Sequence, residues 1–249
     1  MNQLKNFKSN KTYSMNMKKS LIKDIIGWDV GIWSKSLKFF DENIDFKKIN
    51  TALELGSGHQ SGGYALYLAE KGIHTICSSH LKTDDQNRNI HEKYNLSQFL
   101  KYETVDNLNI PYTDYFDLVC FKSVLGGIKT EFEPEKTLEI SFKQITKCLK
   151  NDGMLIFSEN ISSTIIHKLF RKRFTTPIHG WNYFNIEELI RICDSSFHDF
   201  QNTTNGFMTC FFPESIRKLL SFIDNYFLCK IIPSKYHYVF IAICKLPKK

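Results

Sequence analysis

The chain has 249 residues, 42% hydrophobic and 24% charged, with 33 Lys+Arg against 26 Asp+Glu for a formal charge of +7. A chain of this length can bury roughly 70–75% of the surface its unfolded form exposes, so it needs no disulfide or metal staple. Near-average apolar and charged fractions exclude a collagen, a coiled coil and a wholly disordered chain; the modest positive charge admits an anionic partner without demanding nucleic acid.

Residues 1–17 are polar, rich in Asn, Ser and Lys, and read as a disordered arm. Lys5, Lys8, Lys11, Lys18 and Lys19 stand in the first 20 residues without the apolar stretch of a secretory signal. From 18 to 48, Leu21, Ile25, Ile26, Trp28, Val30, Trp33, Leu37 and Phe40 predict two short helices broken near Gly27–Gly31, a helical cap in which both tryptophans are packing residues. Strand and helix then alternate. Strands are predicted at 51–55, 73–78, 99–105, 116–121 and 154–158, with helices near 63–71, 86–94 and 134–150. Gly72 stops the first of these helices, Pro134 opens the third, and 151–153 separate it from the next strand. Asn185 and Glu188 have capping-box spacing for a helix through Cys193, and two late strands are predicted near 206–212 and 236–244 around a helix at 214–228.

This alternation predicts an open α/β fold: one mostly parallel sheet with helices on both faces, forming a single domain over 18–249. In such sheets the ligand sits beyond the carboxyl ends of the strands, at the point where strand order reverses. Of seven cysteines none has CxxC spacing; Cys77, Cys120, Cys148, Cys193, Cys210 and Cys244 lie in apolar segments and read as reduced core thiols. No uncharged apolar run reaches ~18 residues, since Asp224 and Lys230 interrupt LLSFIDNYFLCKIIP. A soluble cytoplasmic protein without membrane insertion is expected.

The first strand ends in ALELGSGHQSGG, placing Glu54 two residues before Gly56, then Ser57 and Gly58, with Gly62 and Gly63 opening a helix. Glycines at i and i+2 let the backbone turn tightly and let a ligand reach the main chain. In a dinucleotide fingerprint the third glycine falls three residues after the second, whereas here it is Gly62, and an acid precedes the first glycine. The pattern therefore disfavours NAD(P).

ELGSG resembles the first motif of class I S-adenosylmethionine-dependent methyltransferases. VDNLNIPYTDYFDLV (105–119) resembles their adenine-side segment and fourth strand, and LKNDGMLIFSEN (149–160) the turn into their fifth. The resemblance covers about residues 20–245 and implies a Rossmann-like sheet of seven strands with the last antiparallel. It implies that Glu54, Gly56, Ser57 and Gly58 lie by the methionine part of S-adenosylmethionine, Asp106 and Asn107 by the adenine, and Lys122 and Ser123 by the methyl group. Lys122 is thereby a catalytic candidate, and the helical cap is expected over the cofactor pocket. One departure stands out: Ser79 occupies the end of strand two, where the family carries a ribose-binding acid. Substitution by Ser79, His80 or Asp84, weak cofactor binding, and loss of activity all remain open.

WDVGIWSKSL, FKSVLGG and ENISSTIIHKLFRKRF are similar to segments of small bacterial methyltransferases of surface-polysaccharide biosynthesis. That similarity implies O-methylation of a sugar or phosphoramidate in capsular polysaccharide modification. The sequence has no HExxH, paired-carboxylate or Cys/His ligand spacing, so no metal is expected, and no NPPY-type motif of base-amino methylation. His179 in PIHGWNYF, beside Trp181 and Tyr183, suits proton removal from an acceptor, and Glu159 at the end of strand five is a second catalytic candidate. His167 is a weaker one. Lys168, Arg171, Lys172 and Arg173 cluster on an expected helix at 162–173; Arg171 and Arg173 are expected to hold an acidic acceptor, with Trp181 and Tyr183 beside it. The expected partner is a small anionic molecule rather than nucleic acid. RNA methylation and an inactive methyltransferase-like scaffold are the alternatives.

Overall fold

A computed structural model describes residues 17–57, 61–80, 85–162 and 181–249. The expected arm up to residue 16, Gly58, Asp84, His179 and the basic segment with His167, Arg171 and Arg173 lie outside the described residues.

Three short helices replace the two expected at the start. Helix α1 (Lys19–Ile26) buries Leu21, Ile25 and Ile26 and stops at Gly27, whose φ of 76° suits glycine. Asp29, itself left-handed at φ 45°, restarts the chain as α2 (Val30–Trp33), and Ser34 joins it to α3 (Lys35–Asn43). Beyond them run β1 (Thr51–Leu55), α4 (Gly63–Glu70), β2 (His74–Ser79), α5 (Asp85–Lys93), β3 (Leu100–Thr104) and β4 (Phe116–Lys122). The chain continues through α6 (Pro134–Cys148), β5 (Leu149–Asn160), α7 (Ile186–Ser196), β6 (Phe197–Asn205), α8 (Glu214–Ile223) and β7 (Val239–Pro247). The capping box expected at α7 forms in full, Asn185 accepting from the Glu188 N–H and Glu188 from the Asn185 N–H.

The strands form one seven-stranded sheet in the order β3-β2-β1-β4-β5-β7-β6. Pairing is parallel from β3 to β5, and β7 runs antiparallel to both β5 and β6. The expected doubly wound architecture with an antiparallel last strand is therefore present. Strand residues alternate between two cores. Leu53, Val119, Phe121, Phe157 and Phe240 pack beside α6 and α7, whereas Ala52, Leu118, Cys120, Ile156 and Ile241 share a core with Trp33, Phe40, Tyr64 and Tyr67. Burial on both faces explains why these strands read as unbroken apolar runs. All seven cysteines are free, and Cys77, Cys120, Cys148, Cys193 and Cys244 are buried, as expected of core thiols.

Two expectations are corrected. Residues 151–153 do not separate helix from strand: Phe116 pairs with Leu149 and Leu118 with Met154, so they form an insertion within β5. The sixth strand lies at 197–205 rather than 206–212. It is an edge strand, paired with β7 alone among the described residues, and its sequence FHDFQNTTN lacks apolar alternation because much of it meets solvent. The more apolar GFMTCFF turns instead around buried Asp224, which accepts from the N–H groups of Phe207, Met208 and Thr209 at 3.0–3.2 Å.

Candidate active site

Strand order reverses between β1 and β4, so the segments leaving their carboxyl ends diverge and open a cleft. A cavity of about 620 Å³ lies there, a size typical of small-molecule sites. Its described lining comes from five places: Gly56 and Ser57 after β1, Ser79 and His80 at β2, Asp106–Leu108 after β3, Ser123–Val124 and Gly127–Thr130 after β4, and Trp181. Two smaller cavities, of about 180 and 360 Å³, open toward the amino ends of the strands.

The turn after β1 is held from beneath. Gly56 has φ +64°, and a Cβ there would press within 2.7 Å of a Val124 methyl. The Ser57 N–H donates to the Ser78 carbonyl at 2.7 Å, tying β1 to β2. Ser57 Oγ accepts from Asn87 Nδ2 at 2.7 Å and from the Cys77 thiol at 3.1 Å, which leaves its own O–H to donate. Glu54 is buried, absent from the described lining, and accepts the Tyr64 N–H at 2.5 Å in the first turn of α4. Gly63, at φ +62°, leaves room for that carboxylate. Burial pushes the Glu54 carboxyl up to about 7, against the opposing pull of the Tyr64 and Ala65 N–H groups. Glu54 thus holds the start of α4 from beneath the turn.

Glu159 is held in the same way. Its Oε2 accepts from the Val124 and Leu125 N–H groups at 2.8 Å and its Oε1 from the Asn160 N–H at 3.0 Å. Both oxygens are engaged inside the protein, and burial raises the carboxyl to about 7. Glu159 thereby holds the 3-10 turn Leu125–Gly127. That turn seats Trp181: Cβ atoms on Gly126 or Gly127 would run into its indole, and Gly126 accepts the Asn182 N–H at 2.8 Å. Trp181 Nε1 is buried with no hydrogen-bond partner among the described residues.

Lys122 is outside the described lining as well. Alternation along β4 puts it on the side of Leu118 and Cys120, where its ammonium lies 5.2 Å from the Trp33 ring centroid. Burial lowers its pKa while Glu54 and Glu159 oppose that shift. Ser123, one residue on, does line the cavity; left-handed at φ 54°, it receives Asn160 Nδ2 on its hydroxyl at 2.6 Å. Asp106 and Asn107 line it too, Asp106 Oδ1 accepting the Leu108 N–H at 2.9 Å. Tyr183 is exposed and outside the described lining. Helices α1–α3 contribute nothing to that lining either; they pack on the sheet face and against the segment between β6 and β7, where Asn225 Nδ2 donates to the Gly31 carbonyl at 2.9 Å. The sequence reading assigned no role to Lys129, Thr130 or Asn87, although the Gly126–Gly127 pair was a visible mark of a close approach.

No family model matches the sequence, and no curated protein matches it. Solved structures match in shape. Phosphoethanolamine N-methyltransferase 2 of Haemonchus contortus, bound to S-adenosyl-L-methionine, has a TM-score of 0.59 at 17% identity, covering 91% of this chain and 56% of that one. Geranyl diphosphate C-methyltransferase from Streptomyces coelicolor A3(2), with S-adenosyl-L-homocysteine, gives 0.57 at 13% identity over 86% of this chain and 77% of that one. A possible histamine N-methyltransferase from Thermotoga maritima gives 0.54 at 14% identity over 90% and 91%. This chain has the Rossmann-like fold of class I methyltransferases. It spans about half the length of the Haemonchus contortus structures it matches.

Proposed function

We propose that the chain is an S-adenosylmethionine-dependent methyltransferase acting on a small-molecule acceptor. The observation that carries this reading is the cavity at the strand-order reversal, where residues separated in sequence converge: the Gly56–Ser57 turn, Ser79–His80 and Asp106–Asn107. Its donor set fits the cofactor. Ser57 offers a free O–H, Ser79 and His80 offer groups for ribose hydroxyls, and Asp106 with Asn107 borders an adenine. When bound, S-adenosylmethionine supplies a methyl group activated by a sulfonium. The chain's own work is to hold the acceptor in line and exclude water, with Ser123 and Trp181 walling the far side. A hydroxyl acceptor must lose its proton as the new bond forms, and His179 is the proposed recipient.

The finer reading is O-methylation of a small anionic or glycan-precursor acceptor, a sugar or phosphoramidate of capsular polysaccharide. It is supported by the sequence resemblance and by Lys168, Arg171, Lys172 and Arg173 following strand five. Two of the proteins with this fold are named for phosphorylated acceptors, phosphoethanolamine and geranyl diphosphate. The second reading, a scaffold without turnover, is favoured by Ser79 in place of a ribose-binding acid. Calorimetric titration with S-adenosylmethionine and S-adenosylhomocysteine tests the main reading; folded protein that binds neither at millimolar concentration refutes it. A mass-shift screen of nucleotide sugars, phosphorylated sugars, CDP-linked phosphoramidate and total RNA then separates acceptor classes. Binding without any methylated product would favour the scaffold.

A further inference from the structure

Helix α8 and the turns after it are amphipathic in the wrong sense for a protein interior. Their polar residues point inward. Asp224 is buried under three backbone N–H groups, Asn225 bonds to Gly31, and Ser221 packs where a Gly31 Cβ would stand. Their large apolar residues point outward: Ile216, Leu219, Phe222, Tyr226, Phe227 and Ile231 are all exposed, Leu219 by 66% and Ile231 by 78%. Ile216, Leu219, Phe222 and Tyr226 recur at spacings of three and four residues, which keeps them along one side of the element, and the Phe222 and Tyr226 rings sit 4.5 Å apart. A contiguous outward apolar face of this kind marks a binding surface.

Charge distinguishes the occupants. Lys218, Lys230 and Lys235 are exposed around this face and form no salt bridge among the described residues; the exposed acid on the same element is Glu214, because Asp224 is buried. A two-fold contact with a second copy would set this basic rim against itself. An apolar face with a basic rim matches the surface of an anionic bilayer, where aromatic and aliphatic side chains enter the headgroup boundary and lysines meet the phosphates. No helix of the described residues is long and apolar enough to cross a membrane, so this contact lies along the surface.

Topology puts the face at the working end of the sheet. Asn205 at the end of β6 and Asn160 at the end of β5 both pair with Val239, the first residue of β7, so the element leaves and returns at the carboxyl edge. Asn160 in turn bonds to Ser123, which lines the cavity. We infer that the α8 face docks this protein on anionic lipid, with the edge of the sheet that holds the cavity toward the bilayer.

The test is co-sedimentation with vesicles of phosphatidylglycerol and phosphatidylcholine, or of phosphatidylcholine alone, at low salt. It needs neither cofactor nor acceptor, so its outcome is independent of methyl transfer. The expected result is binding to the anionic vesicles at least tenfold tighter than to the neutral ones. Leu219→Glu with Phe227→Glu should abolish binding at an unchanged melting temperature. Lys218→Gln with Lys230→Gln should weaken it about fivefold per charge. No binding to anionic vesicles, equal binding to both kinds, or full binding by Leu219→Glu/Phe227→Glu overturns the inference. So does a concentration-dependent dimer in sedimentation velocity that this variant disperses, which would assign the face to a second copy.

Discussion

Replacing Glu159 by Gln should change the stability of this protein by an amount that depends on pH. The carboxamide oxygen can keep the Val124 and Leu125 N–H groups, but its NH2 then faces the Asn160 N–H that Glu159 Oε1 now accepts. One buried donor left facing another costs about 1–3 kcal/mol. Against this stands the burial of the wild-type carboxyl, which raises it from 4.5 to about 7. The folded state holds the proton longer than the unfolded state, so stability from this group is full below pH 4.5 and is lost as pH rises through about 7. Between pH 5 and 8 the wild type therefore loses about 2–3 kcal/mol at this position, and the glutamine variant loses none of it. Glu159→Gln is expected to be about 2 kcal/mol less stable than wild type near pH 5 and about equal to it at pH 8. Urea midpoints at the two pH values measure this, read as a gap that closes while the m-values stay equal. A deficit of the same size at both pH values would refute the argument that burial keeps Glu159 protonated in the folded state.

Gly56→Ala places a side chain at φ +64° against Val124; we expect a loss of about 1–2 kcal/mol and at least tenfold weaker cofactor binding by calorimetry, and wild-type affinity would remove the turn from the site. Asp224→Ala strands the N–H groups of Phe207, Met208 and Thr209; about 3 kcal/mol of lost stability should lower the melting temperature by ~6–12 °C, and a drop under ~2 °C would show that water replaces the carboxylate. Gly126→Ala should push the Trp181 indole off its seat and shift its emission to longer wavelength, whereas an unchanged spectrum would mean the turn yields instead. His91 donates its Nε2–H to the Gly62 carbonyl and pairs through Nδ1 with the Tyr102 hydroxyl, and burial lowers its pKa; its imidazole resonances should titrate at lower pH than those of an exposed histidine, and a midpoint in the ordinary range would contradict this burial.

Local chemistry marked the elements that local chemistry controls. The Asn185–Glu188 box, the stop at Gly72, Pro134 in the first turn of α6 and the apolar runs of β1 and β4 were all legible, and with them the strand–helix alternation that implies a parallel sheet. The edge strand β6 was not, since a strand bonded on one side and wetted along much of its length need not be apolar. The site divides similarly. Gly56, Ser57, Ser79, Asp106, Asn107 and Ser123, at or just past strand ends, line the cavity, and so does Trp181 from the loop before α7.

For Glu54, Glu159 and Lys122, the family resemblance and strand-end position pointed toward the ligand, and tertiary structure adds what their side chains meet inside the protein. Side chains alternate along a strand, so whether a strand-end residue meets ligand or core depends on register and on which backbone N–H groups lie below it. Glu54 and Glu159 hold the turns that shape the cavity, and Lys122 lies among the buried groups between them. The outward apolar face of α8 is of the same kind. Its pattern is written in the sequence, but only packing decides which side of a helix faces the interior, and here Asp224 and Asn225 took that side because backbone N–H and C=O groups around 31 and 207–209 required partners.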